Sequence, residues 1–408
     1  MTAAFSPRPR ARELGIALGT LATGPLNAIT DVSGVRVGHA TVRRGDGPLV
    51  RGVGPVRTGV TAIMPHGDDL FAWKVPAAAE VFNGFGKTIG LVQVAELGQL
   101  ETPILLTNTL SVGRVADALV GWMIGRHPAI GVTTGTVNPV VAECNDGYLN
   151  DIGGRHLGEA EVRAALDSAV AGPVPEGNLG AGTGMSAFGF AGGIGTASRR
   201  VVADGVNWLV GALVLANFGR RADLTIAGVP VGRALAHPAA PPPPGTAGAG
   251  GAGGDVDRER GSVIIVLATD APLDARQLGR LARRVPLGLA RTGSYGGHGS
   301  GDLAIAFSTA DRIPHYSGPP TRGVTVLDEQ HAILDDLFRA VVEATEESVI
   351  NALCAAHPVA TTTGATPCRP RASWRSCVAT TPSAEPARPR GTRARKSAKR
   401  RVVKAVSD

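Results

Sequence analysis

The clearest apolar pattern in the chain is an unbroken run, VIIVL at 263–267, in which four of the five residues are β-branched. The dipeptide Gly261-Ser262 precedes the run, and Asp270 closes it after a short polar turn. Such a run predicts a strand that is buried on both faces of a sheet. The segment 238–260 is rich in Pro and Gly, which predicts a flexible tether. The sequence therefore places a flexible tether directly before a serine that opens a core strand.

The rest of the pattern predicts alternating strands and helices. Strands are predicted in apolar stretches that run into polar turns, at 56–67, 87–98, 102–113 and 206–219. Helices are predicted where apolar residues recur at helical spacing, at 115–124, 158–170, 273–291 and 327–356. Hydrophobic residues make up 43% of the chain, whereas aromatics are only 4% and glycines number 56. The core must be built from closely packed aliphatic side chains, which favours an α/β protein of layered sheets and helices.

The net charge of +7 is concentrated at the C-terminal end of the chain. Residues 369–408 contain twelve Lys and Arg against two acidic residues, a net of +10, so the remaining residues carry −3. Apolar periodicity is missing from this region, and we expect a disordered basic tail at 359–408. The expected organisation is a flexible basic lead at 1–13, one domain at 14–358 that includes the tether, and the tail.

Several classes of protein are disfavoured by the sequence. Apolar runs stay below the roughly 18 residues of a membrane span, and the N-terminus lacks a signal-peptide pattern, so we expect no membrane association. The four cysteines show no metal-ligand spacing, and we expect no metal, no cofactor and a reducing cytoplasmic location. The folded body has neither a basic face nor stacking aromatics, so we expect no specific nucleic-acid partner.

Polar residues at the ends of predicted strands are candidates for chemistry. Asn108 and Asn217 each end an apolar strand, where an amide can either donate to a developing oxyanion or simply cap a turn. Ser300 and Asp302 lie at the mouth of another strand, and their spacing places both side chains on one face. Tyr148 lies in a polar loop, with two carboxylates, Glu143 and Asp146, close to it in sequence.

The serine at 262 has two interpretations that its own surroundings leave open. A Gly-Ser dipeptide is most often an ordinary loop that enters a sheet. Alternatively, cleavage before Ser262 places a hydroxyl nucleophile and a new α-amine on one residue. An α-amine with a pKa of about 8 can act as a general base near neutral pH.

Seven sequence blocks, in order, resemble one family. They are NAITDVSGVRVGH, LLTNTLSVG, NPVVAECNDGYLND, GNLGAGTGM, FAGGIGTASR, GSVIIVLATDAPL and GSGDLAIAFSTA. The chain from about residue 14 to 356 resembles the β-peptidyl aminopeptidases and L-aminopeptidase/D-esterases, the DmpA-like self-cleaving serine aminopeptidases. The resemblance implies a four-layer αββα sandwich, similar to the N-terminal-nucleophile (Ntn) hydrolases but with different connectivity.

The resemblance also implies a role for five of the candidate residues. The chain would cut itself between Gly261 and Ser262 into an α chain, 1–261, and a β chain, 262–408, and Ser262 would then be the nucleophile. Ser300 and Asp302 would support Ser262, and Asn217 would bind the oxyanion. Tyr148 would be an active-site tyrosine. Apart from the resemblance, three further residues are candidates for binding substrate: Glu143, Asp146 and Asn108.

The expected activity is release of N-terminal amino acids from small peptides, amides or esters through an acyl-enzyme on Ser262, in a homo-oligomer of αβ units. Asp302, Glu143 and Asp146 are unranked candidates for holding the ammonium group of the substrate. One alternative is a related amide-oligomer hydrolase or an acyltransferase similar to ornithine acetyltransferase. A distant alternative is nucleic-acid binding through the basic tail.

Overall fold

The computed structural model describes residues 8–235, 259, 261–316 and 318–359. The strands are β1 (Arg36–Arg44), β2 (Val56–Met64), β3 (Trp73–Gly84), β4 (Gln99–Leu100), β5 (Ile104–Asn108), β6 (Val140–Cys144), β7 (Ser186–Ala187), β8 (Phe190–Ala191), β9 (Gly193–Ala203), β10 (Val206–Asn217), β11 (Ser262–Thr269), β12 (Gly301–Ser308) and β13 (Ile313–Pro314). The α-helices are α1 (Leu91–Leu97), α2 (Val112–Arg126), α3 (Glu159–Asp167), α4 (Val231–Ala234), α5 (Ala275–Ala282), α6 (Val285–Arg291) and α7 (Ile333–Ala355). The predicted tether, apart from Glu259, and the predicted tail from residue 360 onward lie outside the described residues.

Two large sheets form the centre of the described fold. The smaller has the order β1–β2–β5–β6, in which β5 and β6 are parallel. The larger has the order β13–β3–β12–β11–β10–β9, and β4 pairs with β3. In this sheet β11 is parallel to β12 and antiparallel to β10. Ser262, the first residue of the central strand β11, therefore pairs with Gly301 of β12 on one side and with Asn217 of β10 on the other.

Apolar layers join the described sheets and helices. Leu106 of the smaller sheet and Ile264 of the larger sheet belong to the layer between the sheets. The helices α2 and α3 cover the outer face of the smaller sheet through Leu119 and Val162. The helices α5, α6 and α7 cover the outer face of the larger sheet, with Leu337 in that layer. The result is a four-layer αββα arrangement, and the predicted fold class is confirmed.

The alternation of side chains along β11 sets the direction of Ser262. Ile264 and Val266 point between the two sheets, whereas Val263 and Ile265 point toward the helices. Because residues i and i+2 share a face, Ser262 points between the sheets at the end of the sandwich. The buried strand therefore places the Ser262 hydroxyl at the edge of the interface between the sheets.

Two predicted elements differ from the structure. The stretch 87–98 was expected to be a strand, but its apolar part forms the helix α1. Gly90 and Gly98, with φ of +94° and +65°, flank this helix, and both adopt the left-handed conformation that glycine tolerates. The predicted helix 273–291 is two helices, α5 and α6, and Pro286 lies in the first turn of the second, where its missing N–H costs nothing.

Residues 8–13, the described part of the predicted lead, pack against the rest of the fold. The Nε of Arg10 lies 2.7 Å from a carboxylate oxygen of Glu176, and the Nε of Arg12 lies 2.8 Å from Glu347. Ala11 between them is fully buried. The two arginines anchor this segment because they neutralise carboxylates that are themselves buried. Among the described residues, no helix is long and apolar enough to cross a membrane.

Candidate active site

Ser262 opens β11 and is 6% exposed. The backbone N–H of Gly301 donates a hydrogen bond to its Oγ at 3.1 Å. This bond follows from the parallel register, in which Ser262 and Gly301 are direct partners. The hydroxyl is thus held in a fixed orientation at the edge of the core.

Gly261 precedes this serine in a backbone conformation that other residues rarely adopt. Its φ is +116°, and a Cβ atom at this position would lie 1.8 Å from the carbonyl oxygen of Asn217. Both the positive φ and the close approach require glycine here. The bond that was predicted to be cut is therefore held in tight contact with the end of β10.

Ser300 and Asp302 form a buried pair beside the start of β11. The Ser300 hydroxyl donates a short hydrogen bond to Oδ1 of Asp302, and this oxygen also accepts the N–H of Val263 at 3.1 Å. Burial raises the pKa of Asp302 to about 6, although the Ser300 hydrogen bond opposes the shift. Above that pH the carboxylate is ionised, and it orients the Ser300 hydroxyl next to the strand that carries Ser262.

Asn217 is the antiparallel register partner of Ser262, so the two side chains share one face of the sheet. Its Oδ1 accepts the N–H of Ser186 at 2.9 Å, and its Nδ2 donates to the carbonyl of Asn145 at 3.0 Å. These two bonds fix the orientation of the amide. The Nδ2 group carries two N–H donors, and the bond to Asn145 uses one of them.

Glu143 reaches the same region from the smaller sheet. Its Oε1 accepts the N–H of Lys87 at 2.8 Å, and its Oε2 accepts the hydroxyl of Thr109 in a short hydrogen bond. A Cβ atom on Gly86 would lie 3.6 Å from Oε1 of Glu143 and 3.7 Å from the Cα of Gly301. The carboxylate and Gly301, whose N–H binds the Ser262 hydroxyl, therefore both lie beside Gly86.

Asn108 and Asp146 lie in a separate buried cluster. Asn108 donates from Nδ2 to the Thr58 hydroxyl at 2.7 Å, and Asn150 donates to Oδ1 of Asp146 at 2.9 Å. The two side chains are 1% and 0% exposed, respectively. Burial raises the pKa of Asp146 to about 7, and hydrogen bonds from Thr58, Asn150 and Asn108 limit the shift. The structure brings these two residues together behind the loop that follows β6, not into contact with the Ser262 hydroxyl.

Tyr148 lies on that loop and is 56% exposed. The loop begins at Asn145, whose carbonyl binds the Asn217 amide. Tyr148 therefore lies on the solvent side of a loop that contacts Asn217. Within the described ranges, no group of three or more His, Cys, Asp or Glu side chains could hold a metal ion.

Comparison with known proteins identifies the family of the chain. Residues 27–367 match the family described as Peptidase family S58. The chain belongs to peptidase family S58.

Relatives in this family have names that describe aminopeptidases. A β-peptidyl aminopeptidase of Sphingosinicella xenopeptidilytica is 47% identical over 88% of this chain and 87% of its own length. A crystal structure of a protein from Pyrococcus horikoshii OT3 has 48% identity and a TM-score of 0.82, covering 91% of this chain and 98% of that chain. The L-aminopeptidase D-Ala-esterase/amidase of Ochrobactrum anthropi, described as a variant of the Ntn-hydrolase fold, has 43% identity and a TM-score of 0.77, covering 86% of this chain and 92% of its own.

The S58 match and the structural likeness confirm the family and the Ntn-like fold that the sequence predicted. They also confirm the prediction of a peptidase that is a hydrolase of peptide and amide bonds. The roles of single residues stay predictions.

Two contacts of Ser262 and one buried residue before it in this S58 protein were missed from the sequence. The Gly301 N–H depends on strand register, and the Cys144 thiol donates to the Ser262 carbonyl at 3.3 Å across the two sheets. Burial raises the pKa of Cys144, so the thiol stays neutral and can donate. The buried residue is Glu259, which lies in the predicted tether. Only its position three residues before Ser262 could have drawn attention to it.

Proposed function

We propose that this protein is a self-processing serine aminopeptidase whose nucleophile is Ser262. The observation that carries the proposal is the position of Ser262, which lies at the start of β11 directly after a glycine with φ of +116°, and whose Oγ accepts the Gly301 N–H. Register places the Asn217 amide on the same face. A hydroxyl, an adjacent acyl group and an amide donor are thus held together.

In the precursor, the Ser262 Oγ attacks the carbonyl carbon of Gly261. The new C–O bond replaces the C–N bond, and the hydroxyl proton ends on the released nitrogen, so an ester and an α-amine form. Water then hydrolyses the ester and leaves a carboxylate on Gly261. The mature Ser262 carries both its hydroxyl and a free α-amine.

In the mature enzyme, the α-amine of Ser262 accepts the hydroxyl proton as Oγ attacks the substrate carbonyl. Asn217 donates to the oxyanion, and Ser300, oriented by Asp302, assists the proton transfer. The departing amine or alcohol takes the proton and leaves an acyl-enzyme. Water releases the acyl group and restores Ser262.

Glu143 holds the ammonium group of the substrate in this proposal. Its carboxylate lies beside Gly86, which packs against Gly301, whereas Asp146 is enclosed in its own cluster and Asp302 already orients Ser300. An ammonium group fixed beside Ser262 selects substrates with a free N-terminal amine. The names of the relatives support small peptides, amides and esters, β-peptides included, as the substrate class.

Two further parts of the proposal concern the setting of the enzyme. A reducing cytoplasm suits Cys144, which is buried as a free thiol. Assembly into a homo-oligomer suits the exposed apolar side chains of Val92, Val132 and Val53, which are 87%, 78% and 75% exposed. Subunit contacts of this kind would remove such side chains from water.

The test is an assay that offers the enzyme both water and an amine acceptor. We expect release of p-nitroaniline from amino-acid p-nitroanilides, and we expect the free amino acid as the main product in the presence of ornithine. Ser262→Ala should abolish the reaction. Acylated ornithine as the main product would make the protein an acyltransferase and would contradict the proposal.

A further inference from the structure

The chain just before the predicted cleavage point is held by a buried glutamate. Glu259 is 4% exposed, and its carboxylate accepts the hydroxyl of Ser294 at 2.5 Å and the backbone N–H of Tyr295 at 2.9 Å. The backbone N–H of Glu259 donates to the phenolic oxygen of Tyr295 at 2.7 Å. Both donors to the carboxylate are neutral groups. Burying a carboxylate against neutral donors is unfavourable compared with leaving it in water, so the position calls for a functional explanation.

The backbone of Glu259 also fits closely against the same loop. A Cβ atom on Gly297 would lie 2.4 Å from the carbonyl oxygen of Glu259 and 3.1 Å from its Cβ. Only glycine at 297 allows this approach. The Asn83 amide donates to the carbonyl of Gly297 at 2.6 Å and fixes the loop from the β3 side.

This loop leads directly into the predicted catalytic groups. Residues 294–297 are followed by Ser300 and by Gly301, whose N–H binds the Ser262 hydroxyl. On the other side of Glu259, Gly261 is in close contact with the Asn217 carbonyl. The tether end is therefore held at Glu259 by the loop of Ser300 and at Gly261 by the end of β10.

We propose that Glu259 is a positioning residue for self-cleavage. Its carboxylate holds the chain on the 294–297 loop so that the Gly261 carbonyl lies within reach of the Ser262 hydroxyl. This inference rests on the proposed function, because it assumes attack by Ser262 on Gly261. Holding both reacting groups in one geometry removes much of the entropic barrier to attack. Glu259 touches neither reacting atom, so it acts through the placement of the chain.

The test follows precursor disappearance on denaturing gels after synthesis of the full chain in a cell-free system. We expect Glu259→Ala to slow cleavage at least about tenfold, since the chain end loses both hydrogen bonds of the carboxylate. Glu259→Gln should stay within about threefold of wild type, because its amide can accept from Tyr295 and donate to Ser294. Gly297→Ala should slow cleavage by displacing the Glu259 backbone. Glu96→Ala, at an exposed glutamate in α1, is the matched control.

Two readouts separate positioning from a purely structural role. In the uncut Ser262→Ala background, Glu259→Ala should leave the Tm within about 2 °C, whereas a structural residue would lower it more. Protein with Glu259→Ala that has slowly matured should hydrolyse anilides at a kcat within about twofold of wild type, because Glu259 lies outside the mature chemistry.

The proposal is overturned if Glu259→Ala is cut at the wild-type rate, if Glu259→Gln is as slow as Glu259→Ala, or if the Tm and the mature kcat fall together. Failure of the proposed function looks different. In that case the Ser262→Ala precursor would itself be cut between residues 261 and 262. An uncut Ser262→Ala precursor together with normal cleavage of Glu259→Ala contradicts only the role of Glu259.

Discussion

Gly261 lies so close to Asn217 that a Cβ atom on the glycine would be 1.8 Å from the asparagine carbonyl oxygen. The residue that was predicted to provide the scissile carbonyl therefore contacts the residue that was predicted to bind the oxyanion. The contact exists because β10 and β11 are antiparallel and pair Asn217 with Ser262. In the proposed function, this one strand pairing would serve both the cleavage of the precursor and the later reaction.

Replacing Gly261 by alanine should block self-cleavage. The new methyl group would clash with the Asn217 carbonyl, and alanine at φ of +116° is strained, so the scissile bond would leave its geometry. We expect Gly261→Ala to mature at least about tenfold more slowly in a timed gel assay. Gly47→Ala is the control, since Gly47 also has a positive φ, but a Cβ atom at this position would have no atom within 4 Å. Equal maturation rates for the two variants would contradict the prediction.

Truncating the Asn217 amide should lower kcat more than it changes KM. An oxyanion donor acts mainly in the transition state, so we expect a roughly hundredfold loss of kcat for Asn217→Ala in matured protein. The control is Asn207→Ala, at an exposed asparagine near the other end of the same strand. A raised KM with an unchanged kcat would make Asn217 a binding or structural residue.

Neutralising Glu143 should remove the preference for substrates with a free amine. The informative comparison is between an alanyl ester and the matching lactyl ester, which has a hydroxyl group in place of the ammonium group. We expect Glu143→Gln to lower kcat/KM for the alanyl ester about tenfold or more, because a charge-assisted hydrogen bond is lost. The lactyl ester should change within about twofold. Equal losses for both esters would show that Glu143 does not hold the ammonium group.

The buried Asp146 should make the stability of the fold depend on pH. Its pKa of about 7 in the folded state lies above the ordinary value of 3.8, so the folded state binds a proton that the unfolded state has released. Stability from this group therefore falls as the pH rises from about 4 to 7, by up to about 4 kcal/mol. Asp146→Asn keeps an oxygen that accepts from Asn150 and cannot ionise.

We accordingly expect urea unfolding of the uncut Ser262→Ala protein to lose more stability between pH 5 and pH 8 than the same protein carrying Asp146→Asn. Asp117→Asn, at an exposed aspartate in α2, should retain the full slope. An unchanged slope in Asp146→Asn would mean that the carboxyl is already ionised at pH 5.

The strands of the core were predictable from the sequence because a buried strand is marked by a local run of apolar residues. The run at 263–267 gave β11, and the stretch 206–219 gave β10 up to Asn217. The segment 91–97 was mistaken for a strand because its apolar residues do not alternate clearly, and a single buried residue, Val94, fixes its helical face. The spacing of apolar residues identifies a helix well when one of its faces is strongly apolar. The helix α1 has seven residues and only one buried side chain, so it has no such face.

The site was only partly predictable, since its residues meet through long-range pairing. The spacing of Ser300 and Asp302 predicted that they share a face, but only the resemblance predicted that they lie near Ser262. The hydrogen bonds that join the two strands here, from the Gly301 N–H to Ser262 and from the Val263 N–H to Asp302, depend on the parallel register of β11 and β12, which no local pattern encodes. The sequence did not rank Glu143 above Asp146 as the residue that holds the ammonium group of the substrate. Their positions differ in the fold, since Glu143 lies beside Gly86, which packs against Gly301.

The most direct test of the account is the intact mass and N-terminal sequence of the purified protein. We predict two chains, with the smaller beginning Ser-Val-Ile-Ile at residue 262, and a single uncut chain for Ser262→Ala that hydrolyses no anilide. An uncut wild-type protein that hydrolyses anilides, or a Ser262→Ala protein that is still cut before residue 262, would contradict it.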